Sequence, residues 1–426
     1  MEYCNRKKSS VKNIGAVNAD KIVDRAVYNA LDAVFSDGAF CAKAITTALK
    51  TLTEDRPRAF VTSAFYGVLD NNVRLEKIIA ALCDKPPAPN AAAVLKIGLY
   101  YIGYADMPDY AAVNRTVELS KQINGVFPGF INAVLKKSIG FEPSFSTALE
   151  RFSYEHNTPE WLCKTLISDY SEERAAAILD ARLPDKTHIR PINGRIDAAE
   201  FFKFARNNGC EVTEHGCYCA KNELEKFERG AYAVQSLSSI RAVKAYVNGI
   251  ECGKVLDLCA APGGKSVLMS ELGRFDITAC DIYPHKIELM RGYAKKSGAK
   301  IKVALNDATK RNSGFVDAFD LVVADCPCSG TGTIGSKPDI LIKRKPSDLK
   351  DLCALQTKIL AVASEYCMVG GVLCYSTCSI LKCENDEIAK AFLSAHEDYE
   401  PLDETVLLPD SDKCDGFYIA RFKRVK

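Results

Sequence analysis

Asp325-Cys326-Pro327-Cys328-Ser329-Gly330 and Tyr375-Ser376-Thr377-Cys378-Ser379 each place a cysteine just past a short apolar run, Phe319 to Ala324 in the first case and Gly371 to Tyr375 in the second. If both runs are strands of one open parallel sheet, their carboxyl ends border the crevice where such sheets bind ligands. A thiol held there becomes a nucleophile once it ionises. Either cysteine alone reads more readily as a small buried hydrophobe. The pair gains weight from a third stretch on the same expected sheet.

That stretch is Val255-Leu256-Asp257-Leu258-Cys259-Ala260-Ala261-Pro262-Gly263-Gly264-Lys265-Ser266, which reads as strand, tight loop and helix start. Glycines let a backbone approach a ligand closely, and a helix N-terminus offers free N–H groups. A phosphate-binding P-loop would need glycine where Cys259 stands, and the G-x-G-x-x-G dinucleotide fingerprint is absent. A plain structural turn stays open on these residues alone. Two acids favour a ligand: Asp281 ends the next apolar run, where a carboxylate takes ribose hydroxyls, and Asp307 follows the third, placed to accept from an adenine amine. Acids at successive strand ends repel a pyrophosphate and suit a nucleoside without phosphates. S-adenosylmethionine, whose sulfonium is positive, meets that requirement.

The elements that must carry these residues are legible in the periodicity. From about Tyr232 onward, apolar runs at Lys254 to Cys259, Asp276 to Cys280, Lys300 to Leu305, Phe319 to Ala324 and Gly371 to Tyr375 alternate with helical patterns, clearest at His285 to Lys296 and Asp348 to Met368. Gly298 and Gly370-Gly371 fall where helix stops are expected. Alternation of this kind predicts a doubly wound α/β domain. From Lys21 to about Phe141 the pattern is instead helical throughout, with Val23, Val27, Ala30, Leu31, Val34 and Phe35 at helical spacing and a loop at Lys85 to Asn90. Between them, a helix around Pro159 to Tyr170 precedes a strand at His188 to Ile192, a helix at Asp197 to Arg206 and a strand-like run at Cys210 to Cys219, consistent with a small α+β module. The expected domains are residues 1–145, 146–232 and 233–426.

The motif set of the C-terminal domain is similar to that of the RNA cytosine-5 methyltransferases of the Nop/Sun type. The shared residues are Cys259 to Lys265, Asp281, Asp307, Asp325 to Gly332, Lys337-Pro338-Asp339, Tyr375 to Ser379 and Asp415 to Tyr418. Cys326 stands where the family has a small aliphatic residue, and Ser236 where it favours aspartate. The helical segment resembles the NusB-like RNA-binding fold through Arg58-Ala59-Phe60, Tyr66 to Leu69, Leu95 to Tyr104, Ala112-Val113-Asn114 and Phe130 to Leu135, with Arg115 where a glutamate is usual. The middle module occupies the position of a ferredoxin-like RNA-binding subdomain, and Arg190-Pro191-Ile192-Asn193 resembles a phrase found there.

The resemblance implies a Rossmann-like, S-adenosylmethionine-dependent methyltransferase acting on carbon 5 of a cytosine in RNA, most naturally small-subunit (16S) ribosomal RNA. It implies Cys378 as nucleophile, Cys328 as the residue that helps break down the covalent adduct, and Asp325 as the acid at the cytosine ring nitrogen. Cofactor-binding roles fall to Cys259, Ala260, Ala261, Pro262, Gly263, Gly264, Lys265, Asp281, Asp307 and Asp325. Two rivals are a DNA-type cytosine methyltransferase, in which the Pro-Cys thiol attacks, and an RNA-binding assembly protein with a decayed catalytic domain.

Composition narrows the setting. With 18 cysteines in 426 residues a disulfide framework is conceivable, but the polar start MEYCNRKKSSVKN lacks a signal core, so a reducing cytoplasm is expected. No apolar run is long enough for a bilayer, and no membrane partner is expected. No C-x-x-C pair occurs, and Cys210, His215, Cys217 and Cys219 match no common zinc spacing, so no metal is expected. A net charge of +2 excludes a wholly basic coat; positive charge for RNA must be local, and Lys337, Lys343, Arg344 and Lys345 form either such a patch or a solvated face. A monomer is expected.

Overall fold

The computed structural model describes residues 20–426. They fall into two compact units: one runs through to Ile167 and takes in Lys337–Arg344, and the other comprises Ser168–Ser336 with Lys345–Lys426.

The first unit is helical. A helix over 20–35 is followed by Cys41–Leu49, Asp55–Leu69, Asn72–Leu82, Pro89–Gly103, Asp109–Ser120, Pro128–Ser138 and Ala148–Glu155. Pro89 and Pro128 open their helices at the first turn, where a missing N–H costs nothing. The helix Pro89–Gly103 is buried on nearly every side and is the axis of the core, with Val94, Leu95 and Ile97 fully enclosed. The stripe Val23, Val27, Ala30, Leu31 and Val34 is buried in the same core as its spacing predicts, with Phe35 partly covered. Arg115, the departure from the family pattern, has a local partner. Its guanidinium bonds the buried Asp24 at 2.7 Å, Tyr101 donates to the same carboxylate at 2.7 Å, and the ring of Phe60 lies 4.6 Å away.

In the second unit a four-stranded antiparallel sheet comprises β1 (Thr187–Pro191), β2 (Glu211–Thr213), β3 (Gly216–Cys219) and β4 (Tyr232–Val234), in the order β2-β3-β1-β4. With the helix Ala198–Asn207 after β1 and a short turn of helix, Lys221–Leu224, after β3, this is the β-α-β-β-α-β arrangement. The expected single run from Cys210 to Cys219 is a hairpin instead. The chain reverses at Glu214-His215, and Gly216 allows β3 to lie against Ile189, whose carbonyl oxygen a Cβ there would meet at 2.0 Å. Cys217 and Cys219, two apart on β3, share the inward face with Cys210 among Ile189, Phe201 and Phe227. Their sulfurs lie 3.5 Å (Cys217–Cys219) and 3.1 Å (Cys219–Cys210) apart, and burial pushes the Cys217 thiol up to about 12. His215 turns to the carbonyl of Glu214.

The seven-stranded sheet comprises β5 (Cys252–Asp257), β6 (Arg274–Asp281), β7 (Ile301–Leu305), β8 (Phe319–Asp325), β9 (Cys367–Thr377), β10 (Tyr399–Leu407) and β11 (Phe417–Arg424), in the order β10-β11-β9-β8-β5-β6-β7. β5 to β9 are parallel, as expected. β11 and β10 add an antiparallel edge that the periodicity did not disclose, because β10 is exposed or half-exposed everywhere but at its two ends. Gly370-Gly371 is not a helix stop. The helix Pro346–Ser364 ends earlier, and the pair forms an irregularity inside β9, where the register against β8 shifts and Gly370 takes φ +81°. The order reverses between β5 and β8, so the crevice of this sheet lies past the ends of those strands.

Candidate active site

β5 ends in Asp257 and β8 in Asp325, the two strands that flank the reversal, and Leu258 ties them through its N–H to the carbonyl of Val323. β6 ends in Asp281, and Asp307 lies two residues past β7, so four strand ends in succession present a carboxylate. The predicted loop lies between β5 and the helix Gly264–Leu272. Gly263 caps that helix at φ +106°, a conformation that strains any residue bearing a Cβ, and the Ala261–Pro262 peptide is cis. Asp257 is fully buried: Ser266 donates to its Oδ2 at 2.6 Å, and Oδ1 meets no hydrogen-bonding group among the described residues. Burial raises its pKa to about 7.

The outer acids differ in character. Asp281 is buried, accepts from the N–H of Tyr283 and pairs with Lys286 at 3.2 Å. Asp307 caps its own turn, taking the N–H and hydroxyl of Thr309 and pairing with Lys310, which together hold its carboxyl down at about 2. Cys259 is partly buried, and its thiol is pushed well above the usual range by burial and by Asp257.

β8 and β9 lie side by side and parallel, with Asp325 opposite Ser376. Their loops therefore leave the sheet together, and the sulfurs of Cys328 and Cys378 come within 3.3 Å. The Cys328 thiol is held far above its usual range by the contact with Cys378 and by burial. Asp325 is gripped on both oxygens: Lys265 reaches Oδ2 at 2.8 Å, and Ser376 donates to Oδ1 at 3.1 Å, with the buried Tyr246 hydroxyl 2.6 Å from that of Ser376. Burial draws the Lys265 ammonium downward, but the Asp325 carboxylate outweighs it and the net shift is upward. Lys265 thus belongs to both the glycine loop and the cysteine site. Cys326 faces the other way, into the core, where burial raises its thiol far out of the reactive range.

The Asp415 to Tyr418 phrase meets the same loops from β11. Gly416 donates to the carbonyl of Gly332 at 2.7 Å and Gly332 donates to that of Cys378 at 3.0 Å; a Cβ on Gly332 would sit 2.3 Å from the Gly416 oxygen. The basic run divides. Lys343 is taken up within the helical unit, paired with the buried Asp339 at 3.4 Å and lying 3.9 Å from the ring centre of Phe40, so it is no free phosphate contact. Arg190 is likewise structural, locked by a bidentate pair to Glu271 and by the side chain of Gln235.

Sequence reasoning missed the residues beneath the site. Ser376 holds Asp325 and is itself held by Tyr246, and Glu384, in the polar run Lys382-Cys383-Glu384-Asn385, is fully buried. Nothing in that run distinguishes its acid from a surface one; only the tertiary neighbours do.

The chain matches the family model of 16S rRNA methyltransferase RsmB/F over residues 246–423 and that of the NusB family over 24–139. It is 33% identical over 410 residues to a probable ribosomal RNA small subunit methyltransferase B of Bacillus subtilis, covering 87% of this chain and 91% of the relative. It is 29% identical over 428 residues to the ribosomal RNA small subunit methyltransferase B of Vibrio vulnificus, covering 93% and 98%. Among solved structures it superposes on PH0851 with a TM-score of 0.78 at 22% identity, over 95% of this chain and 99% of the other. A second, NSun6 from Pyrococcus horikoshii with SFG, gives 0.56 at 17% identity over 63% and 98%. At these identities the structures speak for the fold alone.

Proposed function

The chain belongs to the RsmB/F family of ribosomal RNA small subunit methyltransferases, and from that premise we propose that it methylates carbon 5 of a cytosine in small-subunit ribosomal RNA through a covalent Cys378 adduct. S-adenosylmethionine, the methyl donor of such enzymes, supplies an electrophilic methyl carbon when bound. The residues present suit it. Gly263 lets the backbone approach, and Asp257 keeps one buried oxygen that the described residues leave unsatisfied.

Carbon 5 of cytosine is a poor nucleophile. Addition of the Cys378 thiolate to carbon 6 breaks the ring's conjugation and makes carbon 5 enamine-like. The Asp325–Lys265 pair serves the ring nitrogen, where a proton must arrive as the adduct forms. After methylation the carbon 5 proton leaves and the carbon 6–sulfur bond breaks, and Cys328 assists that elimination. The target base must be out of its stack to be reached, which favours a single-stranded loop. The observation that carries the reading is the 3.3 Å approach of Cys328 to Cys378 beside the Lys265–Asp325 pair. Among the described residues no helix is long and apolar enough to cross a membrane.

Incubation with RNA and S-adenosylmethionine followed by a denaturing gel tests it. Cys328→Ala is expected to accumulate a covalent RNA–protein band, and Cys378→Ala to form none and to transfer no methyl. The reverse pattern would move the nucleophile to Cys328 and overturn the assignment. Bisulfite sequencing of RNA from cells with and without the gene then locates the cytosine.

A further inference from the structure

Two sulfurs 3.3 Å apart on separate loops need something beneath them to hold that spacing, and a buried carboxylate bonds both loops. Glu384 is fully buried, and its carboxylate accepts four hydrogen bonds. Oε1 takes the backbone N–H of Ser329 at 2.8 Å and the side-chain amide of Gln356 at 3.0 Å. Oε2 takes the hydroxyl of Ser329 at 2.5 Å and that of Ser379 at 2.6 Å. Ser329 directly follows Cys328, and Ser379 directly follows Cys378. One carboxylate therefore binds the residue after each cysteine. Its own main chain is fixed in turn: Tyr375 donates to the Glu384 carbonyl at 2.5 Å, and the Asn385 side chain bonds the hydroxyl of Thr377 and the carbonyl of Ser379.

We infer that Glu384 is a positioning residue that clamps the Cys328 and Cys378 loops together and sets the distance between the two sulfurs. A carboxylate suits the task because it is acceptor-only, with about four lone-pair sites, and here it meets four donors. Burying a carboxylate is costly unless its bonds are complete, so its placement under two loops that each carry a cysteine points to geometry rather than stability. Its negative charge is also one of the influences that keep the Cys328 thiol protonated.

The inference rests on the two-cysteine reading, so its test needs a readout independent of methylation. Diamide, an azo oxidant, takes one hydrogen from each of two neighbouring thiols and leaves a disulfide; peptide mapping then gives the rate at which Cys328 joins Cys378. Glu384→Ala removes the one acceptor that the Ser329 N–H, the Ser329 and Ser379 hydroxyls and the Gln356 amide share, while Gln356 keeps its bond to the carbonyl of Pro327. It is expected to slow that crosslink about tenfold and to lower kcat by about 100-fold, the order expected when reacting groups are misplaced by about an ångström, with KM for RNA and S-adenosylmethionine little changed. Glu384→Gln keeps the shape and one acceptor oxygen and is expected to recover most of the crosslink rate. A crosslink rate in Glu384→Ala within about twofold of wild type overturns the clamp. If the alanine variant does not fold, Glu384→Gln and Glu384→Asp are compared instead, and the clamp is overturned if the shorter aspartate crosslinks as fast as glutamine. Continued methylation by Cys378→Ala would overturn the two-cysteine chemistry and leave the crosslink to judge the clamp.

Discussion

At the scale of single residues the site is a set of carboxylates in different surroundings. Asp307 and Asp257 both belong to strand ends, yet one is partly exposed, well bonded and held at about 2, while the other is buried and raised to about 7. The raised value has a consequence for stability. In the unfolded chain this aspartate ionises near 3.8, whereas in the folded protein it keeps its proton until about 7. The group therefore favours the folded state fully below about pH 4, and that advantage is lost as pH rises through about 7. Asp257→Asn cannot ionise and removes the effect. Wild type is expected to lose stability relative to the asparagine variant between about pH 4 and pH 7, by roughly 1.4 kcal/mol for each step of one in pH. Urea midpoints taken across that window measure it, and a pH-independent difference would refute the burial argument.

Elements matter because the site sits on crossings of backbone. The loop after β8, the loop after β9 and the start of β11 meet at Gly332, Cys378 and Gly416, where main chains bond directly. A Cβ on Gly332 would lie 2.3 Å from the carbonyl oxygen of Gly416 and 2.9 Å from that of Cys378 itself, and neither is the end of a flexible side chain. Gly332→Ala is expected to cost about 1–3 kcal/mol through overpacking and to lower turnover by displacing the Cys378 loop. Thermal melts together with initial rates check both halves. An alanine variant with wild-type rate and melting temperature would mean that the crossing relaxes freely.

For the molecule as a whole, the helical unit and the sheet unit have hydrophobic cores with no residue in common. Damage to one core is thus expected to leave the other folded. Arg115→Ala removes the cation from the buried Asp24, which Tyr101 alone would then serve, and is expected to destabilise the helical unit by about 3 kcal/mol, the lower end for breaking a buried ion pair. Calorimetric titration with S-adenosylmethionine should give an unchanged affinity while limited proteolysis within residues 20–140 accelerates. Loss of cofactor binding in that variant would show that the two units do not fold independently.

Local pattern alone specified the helical stripe at Val23 to Val34, the parallel strands, and the motif cysteines and acids at their carboxyl ends, because each depends on residue type at short spacing. It misread Gly370-Gly371 as a stop, since a bulge inside a strand has no distinctive period. It left β10 unseen because that strand faces solvent, and β11 because Arg421, Lys423 and Arg424 interrupt its apolar run. It gave no hint that Lys265 would pair with Asp325 far along the chain, that Lys343 would be absorbed by Asp339 and Phe40, or that Glu384 would lie under both cysteines. Those partners are set by which strand ends and loops meet in space, and only the assembled sheet brings them within bonding distance.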